Sequence, residues 1–157
     1  MSDDAENTLI MTLESGPVVI RLRPDLAPGH VARIKELARE GFYDGVVFHR
    51  VIPDFMAQGG DPTGTGSGNS EKPDLRAEFS KEKHVRGVCS MARTSYPHSA
   101  NCQFFICFEE VPHLDGQYTV WGAVTEGMEH VEALPKGEPP SAPGKIVSMR
   151  VAADVEA

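Results

Sequence analysis

At 157 residues the chain fits a single domain built on one hydrophobic core. Lys and Arg number 15 against 23 Asp and Glu, so the formal charge is -8; the long-range field of such a surface repels phosphate and argues against nucleic acid or an anionic membrane as partner. The 3 cysteines, Cys89, Cys102 and Cys107, form neither a CxxC pair nor a Cys/His spacing that suits zinc. That leaves reduced thiols, with no metal and no cofactor expected, and Cys89 and Cys107, lying in apolar runs, read as small core residues.

Residues 1–7 are acidic and polar, with neither the basic start nor the apolar centre of a signal peptide, and read as a short flexible tail before a domain spanning 8–157. No apolar run approaches the roughly 20 residues that cross a bilayer, so a soluble, cytoplasmic protein is expected. Residues 8–13 and 18–22 are strand-like runs joined by Glu14-Ser15-Gly16-Pro17, which predicts a hairpin. Pro28 opens a helix whose Val31, Ile34, Leu37 and Ala38 recur at helical spacing before Gly41, a natural stop.

The next stretch, residues 43–60, is not explained by folding alone. If residues 46–52 form a strand, alternation places Phe48, Arg50 and Ile52 on one face and sets a guanidinium between two large apolar side chains. An unpaired buried charge costs several kcal/mol, so Arg50 needs a carboxylate partner, a ligand or an open pocket; a structural salt bridge and a binding role both fit. After Pro53-Asp54, Met56 and Gln58 again put an apolar and a polar residue on one parity, as a small-ligand pocket is lined. His49 alternates away from Arg50 and reads as a hydrogen-bonded structural histidine.

Residues 61–73 hold Thr63-Gly64-Thr65-Gly66-Ser67-Gly68-Asn69-Ser70, which invites a phosphate-binding reading and fails it. There is no Gly-Lys-Ser/Thr, Asn69 stands where GxGxxG needs its third glycine, and no helix pattern follows. Nor is there a Gly-x-Ser-x-Gly nucleophile elbow around Ser67. Further strands are predicted over 87–93, 103–108 (with Gln103 and Phe105 on one face), 118–124 and 145–155. A second helix is predicted after Thr125 as cap, with Met128, Val131 and Leu134 facing inward. Many short strands without regular βα alternation point to a mainly-β sandwich or barrel.

The Tyr43, Phe48-His49-Arg50 and Phe55-Met56-Ala57-Gln58-Gly59-Gly60 run resembles the signature of cyclophilin-type peptidyl-prolyl isomerases. Ser90-Met91-Ala92-Arg93, Gln103-Phe104-Phe105-Ile106 and Leu114-Asp115-Gly116 resemble the family's later segments, in order, and the likeness runs from about Thr8 to Val155. It implies a closed eight-stranded antiparallel β-barrel capped by two α-helices, with the active groove on its outer face. It also implies rotation about Xaa-Pro bonds in proline-containing peptides and in unfolded or partly folded proteins. Arg50 would be the catalytic donor and Gln58 the anchor for the substrate backbone. Phe55, Met56, Phe105 and Leu114 would form the proline cup, Ala92 and Gln103 the neighbouring wall, and the main chain near Arg93 the hold on the chain beyond. A non-catalytic proline-peptide binding module on the same fold is the alternative. Where many relatives carry Trp before Leu-Asp-Gly this chain has His113, and where His often follows Asp-Gly-Lys it has Tyr118 after Gln117. Both sit on the expected rim, so weakened binding of the cyclic peptide cyclosporin is expected.

Overall fold

The computed structural model of the protein describes residues 5–155. Eight strands form one antiparallel sheet: β1 (Thr8–Leu13), β2 (Pro17–Leu22), β3 (Arg50–Ile52), β4 (Met56–Gly59), β5 (Val88–Met91), β6 (Phe104–Cys107), β7 (Val120–Glu126) and β8 (Ile146–Val151). Their order is β3-β4-β6-β5-β7-β2-β1-β8. The end strands β3 and β8 do not share a ladder, so the sheet is an open half-barrel and not the closed barrel expected. The seam is bridged where Val47 faces Lys145 and Val51 faces Gly137. Phe48 N–H donates to Gly144 O at 2.9 Å and Ile146 N–H to Val46 O at 2.9 Å. The segment before β3 is thus spent on the seam, which is why the predicted strand 46–52 shortens to three residues.

Among the described residues there are three α-helices, where two were expected: α1 (Pro28–Arg39), α2 (Met128–Glu132) and α3 (Ala152–Val155). The extra one is the end of the predicted last strand, which stops at Val151. Helix α1 packs against β7 and β8, α2 against β2, and α3 against β1 and β8. Helix α1 has Pro28 at its start and no side-chain cap from Ala27. A distant carboxylate supplies one: Glu78 accepts from the N–H groups of Gly29 at 3.1 Å and His30 at 2.9 Å, and pairs with buried His30 Nδ1 at 2.6 Å. Thr125 does not cap α2, because it lies in β7; Gly127 holds that place with φ 85°, and a Cβ there would strike the Pro17 carbonyl.

Residues 1–4 of the expected tail lie outside the described residues. Ala5 is buried, and Glu6 pairs with Lys35 and with Arg39 at 2.9 Å.

The hydrophobic side chains divide by strand parity into two layers. The inner face carries Leu9, Met11, Ile20, Leu22, Phe104, Ile106 and Trp121, closed by Val31, Ile34 and Leu37 of α1. Phe104 is its hub, meeting Tyr43, Phe48 and Trp121 edge-on at 5.6, 6.1 and 5.8 Å. Tyr43 OH donates to Cys102 O at 2.8 Å, so its buried hydroxyl is satisfied. The outer face of β4, β5, β6 and β7 carries Met56, Val88, Phe105, Cys107 and Val120, covered by Val111 and Leu114. Both faces being covered, every residue of β5 and β6 is buried. Cys89 lies inside and Cys107 outside, both as free buried thiols.

Candidate active site

The outer layer opens into a cavity of about 160 Å³ lined by Arg50, Phe55, Met56, Gln58, Ala92, Arg93, Phe105, Leu114 and Tyr118. These residues come from β3, β4, β6 and the segments after β5 and around Leu114. The register explains their meeting: Arg50 lies opposite Gln58 and Ile52 opposite Met56 on β3 and β4, and Gln58 opposite Phe105 on β6. Gln103 lines an adjoining cavity of about 330 Å³ together with Thr94, Ser99 and Asn101, and Gln58, Ala92 and Arg93 are common to both. His113 does not line the cavity of about 160 Å³. It is exposed on the 3-10 turn Pro112–Leu114, its ring 6.1 Å from that of Phe55.

The expectation that Phe48, Arg50 and Ile52 share a face is corrected. Phe48 points into the inner core, while Arg50 and Ile52 belong to the outer side. Regular alternation starts only at Arg50, because the preceding residues are not a strand. Of the alternatives that sequence left open, Arg50 has a carboxylate partner and an open pocket beside it. Its Nε donates to Glu138 Oε1 at 3.2 Å and its Nη1 to Gln58 Oε1 at 3.4 Å, while Nη2 makes no hydrogen bond among the described residues.

Gln58 is held from behind. Its Nε2 donates to Gln103 Oε1 at 3.2 Å, and Gln103 Nε2 donates to the carbonyls of Gly66 and Gly68, both at 3.0 Å. The glycine-rich loop therefore does cradle an anion, and the anion is the protein's own. Asp61, fully buried, accepts from the N–H groups of Thr63 (2.8 Å), Thr65 (3.1 Å), Gly66 (2.6 Å) and Gly68 (3.0 Å) and from Thr63 Oγ1 (2.8 Å). Burial pushes its carboxyl up, but the N–H groups and the hydroxyl outweigh that and hold it at about 2.

Phe105 is fixed on two sides. Tyr118 meets it edge-on at 5.5 Å, and the His84 ring stacks on it at 6.0 Å and 17°. Tyr118 is itself covered by the Arg93 guanidinium, 4.7 Å from its ring centre, which donates to Gln117 O at 2.7 Å. The main-chain N–H and C=O of Arg93, beyond the end of β5, make no hydrogen bond among the described residues. Beneath Phe105, His84 Nδ1 meets Asp115 Oδ1 at 3.1 Å and Nε2 meets Ser90 Oγ at 2.9 Å. This has the composition of a hydrolytic triad, but Ser90 is fully buried and its hydroxyl also reaches Thr119 O at 2.9 Å, so it offers no nucleophile to a substrate. Burial lowers the His84 pKa from the ordinary histidine value against the pull of Asp115, and the imidazole ring is the bed of Phe105.

His49 makes no hydrogen bond among the described residues, contrary to expectation. Its buried Nδ1 has no partner, and burial, with Arg50 adding to it, lowers its pKa against the attraction of Asp61. Sequence reading passed over Asp61, His84, Ser90 and Glu138 as working parts. Asp61 alone left a signal, an acidic residue followed by a run of Thr and Gly able to fold its N–H groups back. Among the described residues no group of His, Cys, Asp and Glu is placed to hold a metal ion.

A model of the family described as cyclophilin type peptidyl-prolyl cis-trans isomerase/CLD matches residues 8–151. The probable peptidyl-prolyl cis-trans isomerase of Brucella suis is 50% identical over 169 residues, covering 98% of this chain and 86% of its own. Peptidyl-prolyl cis-trans isomerase B of Bacillus subtilis is 44% identical over 128 residues, covering 80% and 89%. Among solved structures, a cyclophilin from Hirschia baltica superposes with TM-score 0.89 at 32% identity over 96% of this chain and 76% of its own. A Cryptosporidium parvum cyclophilin type peptidyl-prolyl cis-trans isomerase, solved in the presence of the dipeptide Ala-Pro, gives TM-score 0.85 at 28% identity over 92% and 98%.

Proposed function

The chain belongs to the cyclophilin-type peptidyl-prolyl cis-trans isomerases and is such an isomerase, and from that premise we propose that Arg50 is its catalytic donor and that the cavity beside it holds the proline ring. Rotation about an Xaa-Pro bond must break amide resonance against a barrier of roughly 20 kcal/mol, although no covalent bond is cleaved. In the twisted amide the proline nitrogen recovers its lone pair, and a donor aimed at that atom binds the transition state better than either planar form. The observation that carries the reading is Arg50 itself: a guanidinium whose Nη2 makes no hydrogen bond among the described residues, on the wall of a small cavity that also presents Phe55, Met56, Phe105 and Leu114. Phe55, Met56, Phe105 and Leu114 hold the pyrrolidine ring while the other side of the bond turns. Gln58 and the unpaired main chain at Arg93 hold the substrate backbone.

The proposed substrates are proline-containing peptides and partly folded proteins; the structure in the presence of Ala-Pro is that of a relative and supports the class. Cyclosporin is proposed to bind weakly, since exposed His113 offers a small, ionisable ring at the rim. No helix of the described residues is long and apolar enough to cross a membrane. Three unpaired thiols fit the cytoplasmic placement we propose.

The test is Arg50→Ala, which should lose about two to three decades in kcat/KM, or about 3 to 4 kcal/mol, with an intact fold. Arg50→Lys should also be poor, because a point charge cannot replace a fork held at two of its nitrogens. Near-full activity in a folded Arg50→Ala protein would overturn the assignment.

A further inference from the structure

Residues 135–144, rich in proline and glycine, are sewn to β3. Gly137 and Val51 exchange both backbone hydrogen bonds at 2.8 Å. Gly137 has φ 143°, and a Cβ there would lie 2.7 Å from Pro140 Cα, so the tight passage into Glu138-Pro139-Pro140 requires glycine. In an antiparallel pairing of 137 with 51, residue 138 falls opposite residue 50. Arg50 therefore has Gln58 across from it on one side and Glu138 on the other. The two acceptors grip different nitrogens of the fork, Nε and Nη1, which together define the guanidinium plane.

We infer that Glu138 is a positioning residue for the isomerisation, orienting the Arg50 guanidinium through Nε so that Nη2 is presented to the proline nitrogen. This rests on the reading of Arg50 as the catalytic donor. An arginine side chain is long and carries many rotamers, and ordering it before the substrate arrives removes that loss from the chemical step. Glu138 does so through the Nε–H, on the edge that Nε shares with one hydrogen of Nη2, and leaves the other Nη2 hydrogen, on the Nη1 side, for the proline nitrogen. It acts on Arg50 from a half-open wall shared by Arg50, Gln58 and Thr65, so the pair is solvated: side-chain exposure is 42% for Arg50 and 57% for Glu138. An exposed pair is weak and screened by salt, so its contribution to the rate should be modest and salt-sensitive.

The experiment compares the full chain with Glu138→Ala, Glu138→Gln, Arg50→Ala and the Arg50→Ala/Glu138→Ala double variant, on a short Xaa-Pro peptide at low and high salt. Glu138→Ala should lower kcat about two- to fivefold at low salt with little change in KM. Glu138→Gln should fall less, because its amide oxygen still accepts from Nε. The ratio of parent to Glu138→Ala should shrink toward unity in about 1 M salt, where the Debye length is about 3 Å. The Arg50 Nε–H NMR resonance should move in Glu138→Ala, and Glu138→Ala should add nothing once Arg50 is Ala. An unchanged kcat in Glu138→Ala, or an equal loss in the Arg50→Ala background, would overturn the positioning role alone. A fully active Arg50→Ala would instead overturn the reading of Arg50. Should Glu138→Ala fail to fold, Glu138→Gln and its salt response carry the same test.

Discussion

Replacing Asp61 by Asn tests whether the groove depends on the loop behind it. The substitution keeps the shape but removes the charge that four backbone N–H groups and a hydroxyl converge on, and it turns an amide NH2 toward some of those donors. Holding a fully buried carboxyl at about 2 instead of 3.8 corresponds to about 2.5 kcal/mol at neutral pH. The sign is that of a depressed carboxyl: the contribution is complete above pH 3.8 and is lost as pH falls through about 2. Asp61→Asn should thus lower the urea-derived stability at pH 7 by about 2 to 3 kcal/mol at unchanged m, and Tm by about 5 to 10 °C. The loss should reach the site, since the carbonyls of Gly66 and Gly68 hold Gln103, which holds Gln58, which faces Arg50. A fall in kcat/KM of about three- to tenfold, of the order of one lost hydrogen bond, is expected in an exchange assay on a short proline peptide. A variant within about 0.5 kcal/mol of the parent, or one that keeps the parent's loss of stability between pH 4 and 2, would refute this account of the loop.

Two further outcomes follow from particular residues. His30, His49 and His84 are all buried with pKa lowered from 6.5, chiefly by burial. The unfolded chain therefore takes up protons that the folded one refuses, and stability, complete above about pH 6.5, should decline as pH falls toward 5; a flat urea midpoint over that window would contradict it. His113→Trp, at the rim beside Phe55, should tighten cyclosporin inhibition by about one to two decades while barely changing turnover of a short peptide. Unchanged inhibition would show that position 113 does not control the rim.

Much of this was legible along the chain because it is local. Hairpin β1–β2 and helix α1 follow from alternation, turn residues and Pro28, and all four periodic residues of α1 are buried. The cavity residues were legible mainly through family resemblance, with alternation correctly pairing Met56 with Gln58 and Gln103 with Phe105. Alternation misplaced Phe48, because the bridge of residues 45–48 to residues 144–146 is a long-range pairing that leaves no mark on local pattern. Glu138 was invisible for the same reason: its meaning comes from the register of Gly137 with Val51, 86 residues away by number and adjacent in space. Thr125 has the chemistry of a cap, yet β7 continues through it and α2 begins three residues later, after Gly127. The closed barrel was inferred from the family, whereas the ends of this sheet meet through isolated bridges.

The most direct test of the central claim separates binding from turning. With a short Xaa-Pro peptide at saturation, NMR exchange spectroscopy gives the cis/trans rate on the enzyme, and titration of the same peptide gives its affinity, for the parent and for Arg50→Ala. The account predicts that Arg50→Ala binds the peptide within about threefold of the parent, the cup being intact, while the on-enzyme rate falls by about two to three decades. An unchanged on-enzyme rate with weakened binding would contradict it, and would make Arg50 a residue that holds the peptide rather than one that turns the bond.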